Sequence, residues 1–344
     1  MKYKLYTTSK QAWKGMISSI LKAKKYIYME MYILDNKIQE YDFLKILADK
    51  AREGLEIILV LDAFGSSEFK SSDIKFLRDN GVEVLFFSKW LRRTHRKILI
   101  IDDSTAFIGG VNFHGKSIDW VDLQMRVSGK ILIKNILRSF SYSYMMSGGK
   151  KNHILEKRKH SILENLKAQF LENLPSHNVY ALETYYQDKI ISAQKSIKIV
   201  TPYFVPPRWL IALLDNAASR GVLVEIIVPL KTDLKFLDRV NYAHIYQIRN
   251  SNIKFYAQKE MNHSKVLLID DQDVLIGSQN LDIMSFRMNV ESGIFSNNKK
   301  LVNDLLLIIE KWKENSCDFP VKNKKINIFD KIILGFIRLF YSIL

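Results

Sequence analysis

The sequence predicts an α/β protein built from two copies of one domain in a pseudo-twofold arrangement, and three observations carry that prediction. The chain has 344 residues, enough for about two domains at roughly 100–200 residues each. Its second half repeats its first at a nearly constant offset. Within each copy, short apolar β-rich runs alternate with amphipathic helical stretches, the pattern of a sheet flanked by helices.

The repeat is plainest in two segments. Residues 95–112 read HRKILIIDDSTAFIGGVN and residues 263–280 read HSKVLLIDDQDVLIGSQN. The pairs His95/His263, Lys97/Lys265, Asp102/Asp270, Gly109/Gly277 and Asn112/Asn280 all share one offset of 168 (263 − 95). Upstream, AREGLEIILVLDA (51–63) matches ASRGVLVEIIVPL (218–230). A period this long is a duplicated domain, not a solenoid of 20–50-residue units. The expected boundaries are 1–145 for the first copy, 146–177 for a basic, partly helical connector, 178–320 for the second copy and 321–344 for a C-terminal tail.

The elements follow in the same order in each copy. A helix (9–24; 185–195) leads into a β-rich run (26–34; 197–204). A second helix (41–53; 208–220) precedes an apolar strand (55–61; 222–229). A third helix (70–80; 234–250) precedes another strand (82–87; 253–256). The motif strand (98–101; 266–269) then makes an acidic turn into a further strand (106–109; 274–277). The connector holds Gly148-Gly149-Lys150-Lys151 and Lys157-Arg158-Lys159-His160.

Composition bounds the function. With 47% hydrophobic and 26% charged residues the chain is globular. The single cysteine, Cys317, excludes an intramolecular disulfide and any Cys-rich zinc site. Lysines and arginines number 52 against 36 acids, a net charge of +16, which points to nucleic acid, acidic phospholipid or a phosphorylated substrate without choosing among them. The N-terminus has no apolar core of a secretory signal, and no run of about 18 uncharged apolar residues occurs.

Each half carries H-x-K-x(4)-D. Side chains two apart on a strand share a face, so His95 projects with Lys97 and His263 with Lys265. Two halves brought together place two imidazoles and two ammonium groups around one anionic centre, a site suited to a phosphodiester. The lysines neutralise nonbridging oxygens. One imidazole attacks phosphorus and the other serves as acid and base near neutrality. A nucleophilic histidine needs an acceptor on its other ring nitrogen. Asp122 follows His95 by 27 residues (122 − 95) and Glu291 follows His263 by 28 (291 − 263), so these acids are expected to orient the histidines. Asp102 and Asp270 complete the catalytic motif and are expected to fix the turn after its strand. The motif is symmetric and does not by itself assign the two histidine roles.

With these residues in view, the chain resembles the phospholipase D superfamily with paired HKD motifs, and within it the bacterial cardiolipin synthases. The resemblance extends over nearly the whole chain, through GGVN (109–112), TPYFVPP (201–207), GSQN (277–280) and NLDIMSFRMNVESG (280–293). It implies two tandem phospholipase D-like domains and a ping-pong reaction through a phosphohistidine, with no metal and no cofactor. It also implies that His95 is the nucleophile and His263 the acid/base. Asn112, Ser278 and Asn280 match positions that contact phosphoryl oxygens, with Gly110 standing where the second half has Ser278. Glu30 matches an acid near the site. The expected activity is that of a phosphatidyltransferase making cardiolipin and glycerol from two phosphatidylglycerol molecules. A phospholipase D-type hydrolase or a metal-independent phosphodiester nuclease is the alternative.

The tail, INIFDKIILGFIRLFYSIL (326–344), would form a helix of about 28 Å. Lys331 and Arg338 gather with Asn327, Gly335 and Ser342 on one side of it, the pattern of an interfacial amphipathic helix. Larger cardiolipin synthases carry N-terminal membrane spans, so this chain looks like a shorter, span-less type. The expected setting is therefore the cytoplasmic face of a bacterial membrane, bound peripherally, with anionic phospholipid rather than nucleic acid as partner and no obligate protein partner.

Overall fold

The computed structural model describes residues 1–35, 41–159, 168–248 and 252–320. The tail expected as an amphipathic helix, and 160–167 of the expected connector, lie outside these residues.

The first copy folds as a seven-stranded mixed sheet. Its strands are β1 (Lys2–Thr8), β2 (Tyr26–Met31), β3 (Glu56–Asp62), β4 (Glu83–Phe87), β5 (Lys97–Ile101), β6 (Thr105–Gly109) and β7 (Val121–Ser128), in spatial order β1-β7-β6-β5-β2-β3-β4. β2, β3 and β4 run parallel and β5 runs antiparallel to β2, with Met31 opposite Lys97. Helices α1 (Ser9–Leu21), α2 (Phe43–Arg52) and α3 (Ser71–Asp79) join the early strands. α4 (Lys130–Met146) and the single turn α5 (Asn152–Leu155) follow the sheet. α1 starts where the Thr8 hydroxyl caps the amide of Gln11. It buries Ala12, Trp13, Met16, Ile17 and Ile20, the spacing of one helical face.

The second copy begins with β8 (Ala168–Leu174) and β9 (Val179–Tyr180), then α6 (Ala181–Ser192), β10 (Ser196–Val200), β11 (Phe204–Val205), α7 (Arg208–Ser219), β12 (Leu223–Pro229), α8 (Lys235–Gln247), β13 (Ile253–Gln258), β14 (Val266–Ile269), β15 (Asp273–Gly277), β16 (Leu281–Asp282), β17 (Glu291–Ser296), α9 (Lys299–Glu314) and β18 (Ser316–Asp318). Nine of these strands form one sheet, ordered β18-β13-β12-β10-β14-β15-β17-β8-β9. Its centre reproduces the first sheet strand for strand.

Two sequence expectations shift. β8 falls in the stretch read as connector, yet it pairs with β17 as β1 pairs with β7, so the second sheet already takes in residue 168. α6 spans 181–192 rather than 185–195, and it buries Leu182 and Tyr186 in its first two turns.

The strands that carry the motif are buried on both faces, as their unbroken apolar runs require. Ile98 and Ile100 of β5 share one core between the sheets with Val266 and Leu268 of β14, and that core also takes in α4 and α9. Leu99 and Ile101 point the other way, onto α1 and α2. Leu267 and Ile269 do the same in the second copy, toward α6 and α7. Among the described residues, no helix is long and apolar enough to cross a membrane.

Candidate active site

Both motif histidines sit just before their strands, at the edge where the parallel strands of each sheet end. Two reciprocal backbone clasps lock the halves together there. His95 N–H donates to the Val290 carbonyl (3.0 Å) and Val290 N–H to the Arg93 carbonyl (2.8 Å). In mirror fashion, His263 N–H donates to Val121 (2.7 Å) and Val121 N–H to Met261 (3.0 Å). The residue after each clasp is the acid. Glu291 is thereby delivered to His95, its Oε1 lying 3.0 Å from Nδ1, and Asp122 to His263, its Oδ2 lying 2.9 Å from Nδ1. The acids expected to orient the histidines do so crosswise, each serving the other repeat.

Lys97 and Lys265 are buried and each donates from Nζ to the carbonyl of its own histidine. That bond holds the ammonium beside the imidazole, as the two-residue spacing predicts. Burial pushes Lys97 well below the ordinary lysine range and brings Lys265 down to about 8. Each also feels the opposite half, Lys97 through Glu291 and Lys265 through Asp122.

The two histidine–carboxylate pairs differ. Burial would raise the Glu291 carboxyl, but His95 beside it, Lys97 and the Ser278 hydroxyl overcome this and hold it below the usual range. It also accepts from Ser285 Oγ at 2.8 Å. Asp122 has a backbone donor instead, Leu123 N–H at 2.7 Å, and burial raises it to about 7. Both imidazoles are pushed down by burial. For His263 the two lysines and His95 press it further down, whereas Glu291 partly restores His95.

Other assigned residues take different places. Asp102 lies seven residues beyond His95, about 23 Å along an extended chain. It accepts from the amides of Lys24, Lys25 and Tyr26 (2.9–3.2 Å). Asp270 does the same for Gln194, Lys195 and Ser196. Both fix a turn and neither touches the centre. Glu30 is a correction: it is fully buried between the sheets, with Oε1 and Oε2 held by Arg96 at 3.0 and 2.7 Å and Oε1 also by Thr94, so it presents no oxygen to a substrate. Ser278 is another: its hydroxyl binds Glu291 and accepts from Ser292 N–H, so it supports the carboxylate instead of facing a phosphate. Asn112 uses its Oδ1 on the Ile33 amide. Asn280 keeps a buried Oδ1 without a hydrogen-bond partner.

Three aromatic residues at the centre escape the motif reading. Tyr32 meets His95 edge-on at 4.7 Å and lies 5.0 Å from the Lys97 ammonium. Trp120 and Tyr203 stand 5.3 and 6.4 Å from His263. The available signal is positional, since Tyr32 and Tyr203 each follow the equivalent strands β2 and β10.

Comparison with known proteins agrees with this geometry. The family model for the cardiolipin synthase, phospholipase D-like domain matches twice, at residues 16–143 and 186–312. The chain belongs to this family. Among its relatives in the family, the probable cardiolipin synthase YwiE of Bacillus subtilis is 28% identical, covering 99% of this chain and 72% of the relative. Cardiolipin synthase 1 of Staphylococcus epidermidis is 30% identical, covering 92% and 68%. The phosphatidylserine synthase of Haemophilus influenzae shares the fold with a TM-score of 0.77 at 16% identity, over 98% of this chain and 93% of that one. The family's duplicated domain thus coincides with the two sheets whose edges meet at the histidines.

Proposed function

We propose that this protein is a phosphatidyltransferase that joins two phosphatidylglycerol molecules into cardiolipin and glycerol. The observation that carries the reading is the match of the cardiolipin synthase, phospholipase D-like domain to both copies, whose paired His and Lys residues the crossed carboxylates bring to one centre. The asymmetry of the crossed pairs divides the roles between the two histidines. Glu291 stays ionised and accepts from Nδ1 of a neutral His95, which leaves Nε2 with its lone pair for attack on phosphorus. Asp122 and His263 share one proton near neutrality, because the carboxyl rises to about 7 while the imidazole falls. With that proton on Asp122, His263 carries its own hydrogen on Nε2, ready for a leaving alkoxide.

In the first step His95 Nε2 bonds to phosphorus and the phosphorus–oxygen bond to the head-group glycerol breaks. His263 gives its Nε2 proton to the departing oxygen, and Asp122 replaces it through Nδ1. The buried lysines offset charge on the nonbridging oxygens, where positioned cations act most strongly. In the second step the terminal hydroxyl of another phosphatidylglycerol loses its proton to His263 and displaces His95. Water in place of that hydroxyl would give phosphatidic acid. The work takes place at a membrane surface, peripherally on the cytoplasmic face in this reading.

Incubation with phosphatidylglycerol vesicles in chelator, followed by lipid separation, tests it. Cardiolipin with equimolar glycerol is expected, abolished by His95→Ala and by His263→Ala. Phosphatidic acid alone would make the protein a hydrolase. DNA cleavage with no lipid product would make it a nuclease.

A further inference from the structure

Thirteen large hydrophobic side chains are exposed among the described residues, and six of them lie on segments that leave the strand ends beside the histidines. They come from three segments that follow the ends of parallel strands: Phe64 after β3, Trp90 and Leu91 after β4, and, after β12, Leu230 and Leu234 with Phe236 in the first turn of α8. These are the ends beside which the histidines lie, because β5 runs antiparallel to β2 and β14 to β10. Contacts tie the rim to the centre. Arg93 stacks on Phe64 at 4.5 Å, two residues before His95. Asp233, beside Leu234, accepts from Tyr203 at 2.6 Å, and Tyr203 meets the His263 ring.

These side chains are held outward by built structure. A bridge between Lys89 and Arg92 closes a two-residue turn with Trp90 and Leu91 at its tip. Leu91 has φ 53°, a left-handed conformation that ordinarily favours glycine or asparagine. Arg92 anchors the turn on Ser176 (2.6 Å). Trp90 ends 88% exposed, Phe64 63% and Phe236 56%. In the segment after β12, Asp238 accepts from the amide and hydroxyl of Thr232, which fixes the approach to α8. A soluble surface gains nothing from a tryptophan held in water, and clustered apolar tips mark a binding face.

Charge selects the occupant. The segment 88–93 carries Lys89, Arg92 and Arg93 and no acid. The segment 230–236 carries Lys231 and Lys235 with one exposed acid, Asp233, whose carboxylate accepts from the Tyr203 hydroxyl. Apolar tips set among cations suit an anionic bilayer, in which rings enter the interface while ammonium groups stay with lipid phosphates. We propose that this rim is the membrane-docking face of the protein, which seats the catalytic mouth on a bilayer of acidic phospholipid. The proposal deepens the phosphatidyltransferase reading and rests on it for the lipid that enters the mouth.

The test uses the full chain with phosphatidylglycerol vesicles that contain brominated acyl chains. Tryptophan quenching is expected, and most of it should disappear in Trp90→Phe. The triple variant Phe64→Ala/Trp90→Ala/Phe236→Ala should partition onto vesicles about tenfold or more weakly. Its turnover on vesicles should fall in parallel, while turnover on a short-chain phosphatidylglycerol dissolved as monomers stays unchanged. Vesicle binding with no Trp90 quenching would overturn the proposal and assign attachment to another segment. A dimer that dissociates in the triple variant, with no quenching, would overturn it in favour of a second copy of the chain. Trp90 quenching without lipid turnover would keep the docking face and sink the transferase reading alone.

Discussion

Glu291 accepts from His95 across 3.0 Å although the two residues belong to different repeats. Neither repeat alone therefore holds a complete histidine–carboxylate pair, so the proposed mechanism makes closure of the two sheets a condition for chemistry. Glu291→Gln keeps an acceptor for Nδ1 and removes the charge that, in the proposed mechanism, favours His95 as the nucleophile. Turnover should fall about 100-fold or more, within the range of a lost acid–base partner, with KM little changed. A variant that raises KM while kcat holds would show that Glu291 only shapes the pocket.

Asp102 should behave as a structural residue despite its place in the motif. Its three amide donors bind the entry to β2, and its own φ is 51°. Asp102→Ala removes the acceptor and leaves a less tolerant residue in the left-handed region, at a cost of about 2–4 kcal/mol. Denaturant unfolding should record that loss, while kcat of the folded variant stays within about twofold of the parent. A large fall in kcat without loss of stability would return Asp102 to the chemistry.

The repeat, the motif strands and their burial were legible in the sequence because apolar alternation and residue identity both report local structure. The crossing of the acids was not. Spacings of 27 and 28 residues are compatible with pairing inside one half, and the choice is made by backbone bonds at Val290 and Val121, which side-chain types do not encode. Glu30 departs from the expected place for a related reason. Its partner Arg96 lies between the two motif residues His95 and Lys97, on the opposite face of the chain from Lys97. The second repeat has Ser264 at that position, and this difference was the available sign that Arg96 answers a charge particular to the first half.

The upper part of the alkaline limb of the pH profile should follow Lys265. Its folded pKa is about 8, below the ordinary 10.5, chiefly because it is buried. In the proposed mechanism kcat/KM first falls as the Asp122–His263 pair loses its shared proton at about 7, and as pH rises through 8 Lys265 loses the charge assigned to the nonbridging oxygens, so the decline should steepen above that point. Stability has the opposite trend from this group. Between about 8 and 10.5 the unfolded chain binds the extra proton, so the contribution rises with pH. A melting temperature that holds at pH 9 while activity drops would separate titration from unfolding. Lys265→Arg should move the part of the limb above 8 upward with a lower maximum, and no change there would exclude Lys265 as its source.

Gly110 and Ser278 occupy the same repeat position, yet they cannot be exchanged. Ser278 supports Glu291 through its hydroxyl. A Cβ on Gly110 would lie 2.2 Å from Asp122 Oδ1 and 3.0 Å from the His263 carbonyl. The first half thus pairs a glycine with the shorter acid, and the second a serine with the longer one. Gly110→Ser should push Asp122 off His263 and lower turnover about 100-fold, with the fold retained by thermal melting. If displacement of Asp122 is the cause, adding Asp122→Ala to Gly110→Ser should cost little more, although Asp122→Ala alone costs much. Two losses that multiply in the double variant would instead mean that Gly110 and Asp122 act independently, and the steric account of this glycine would fail.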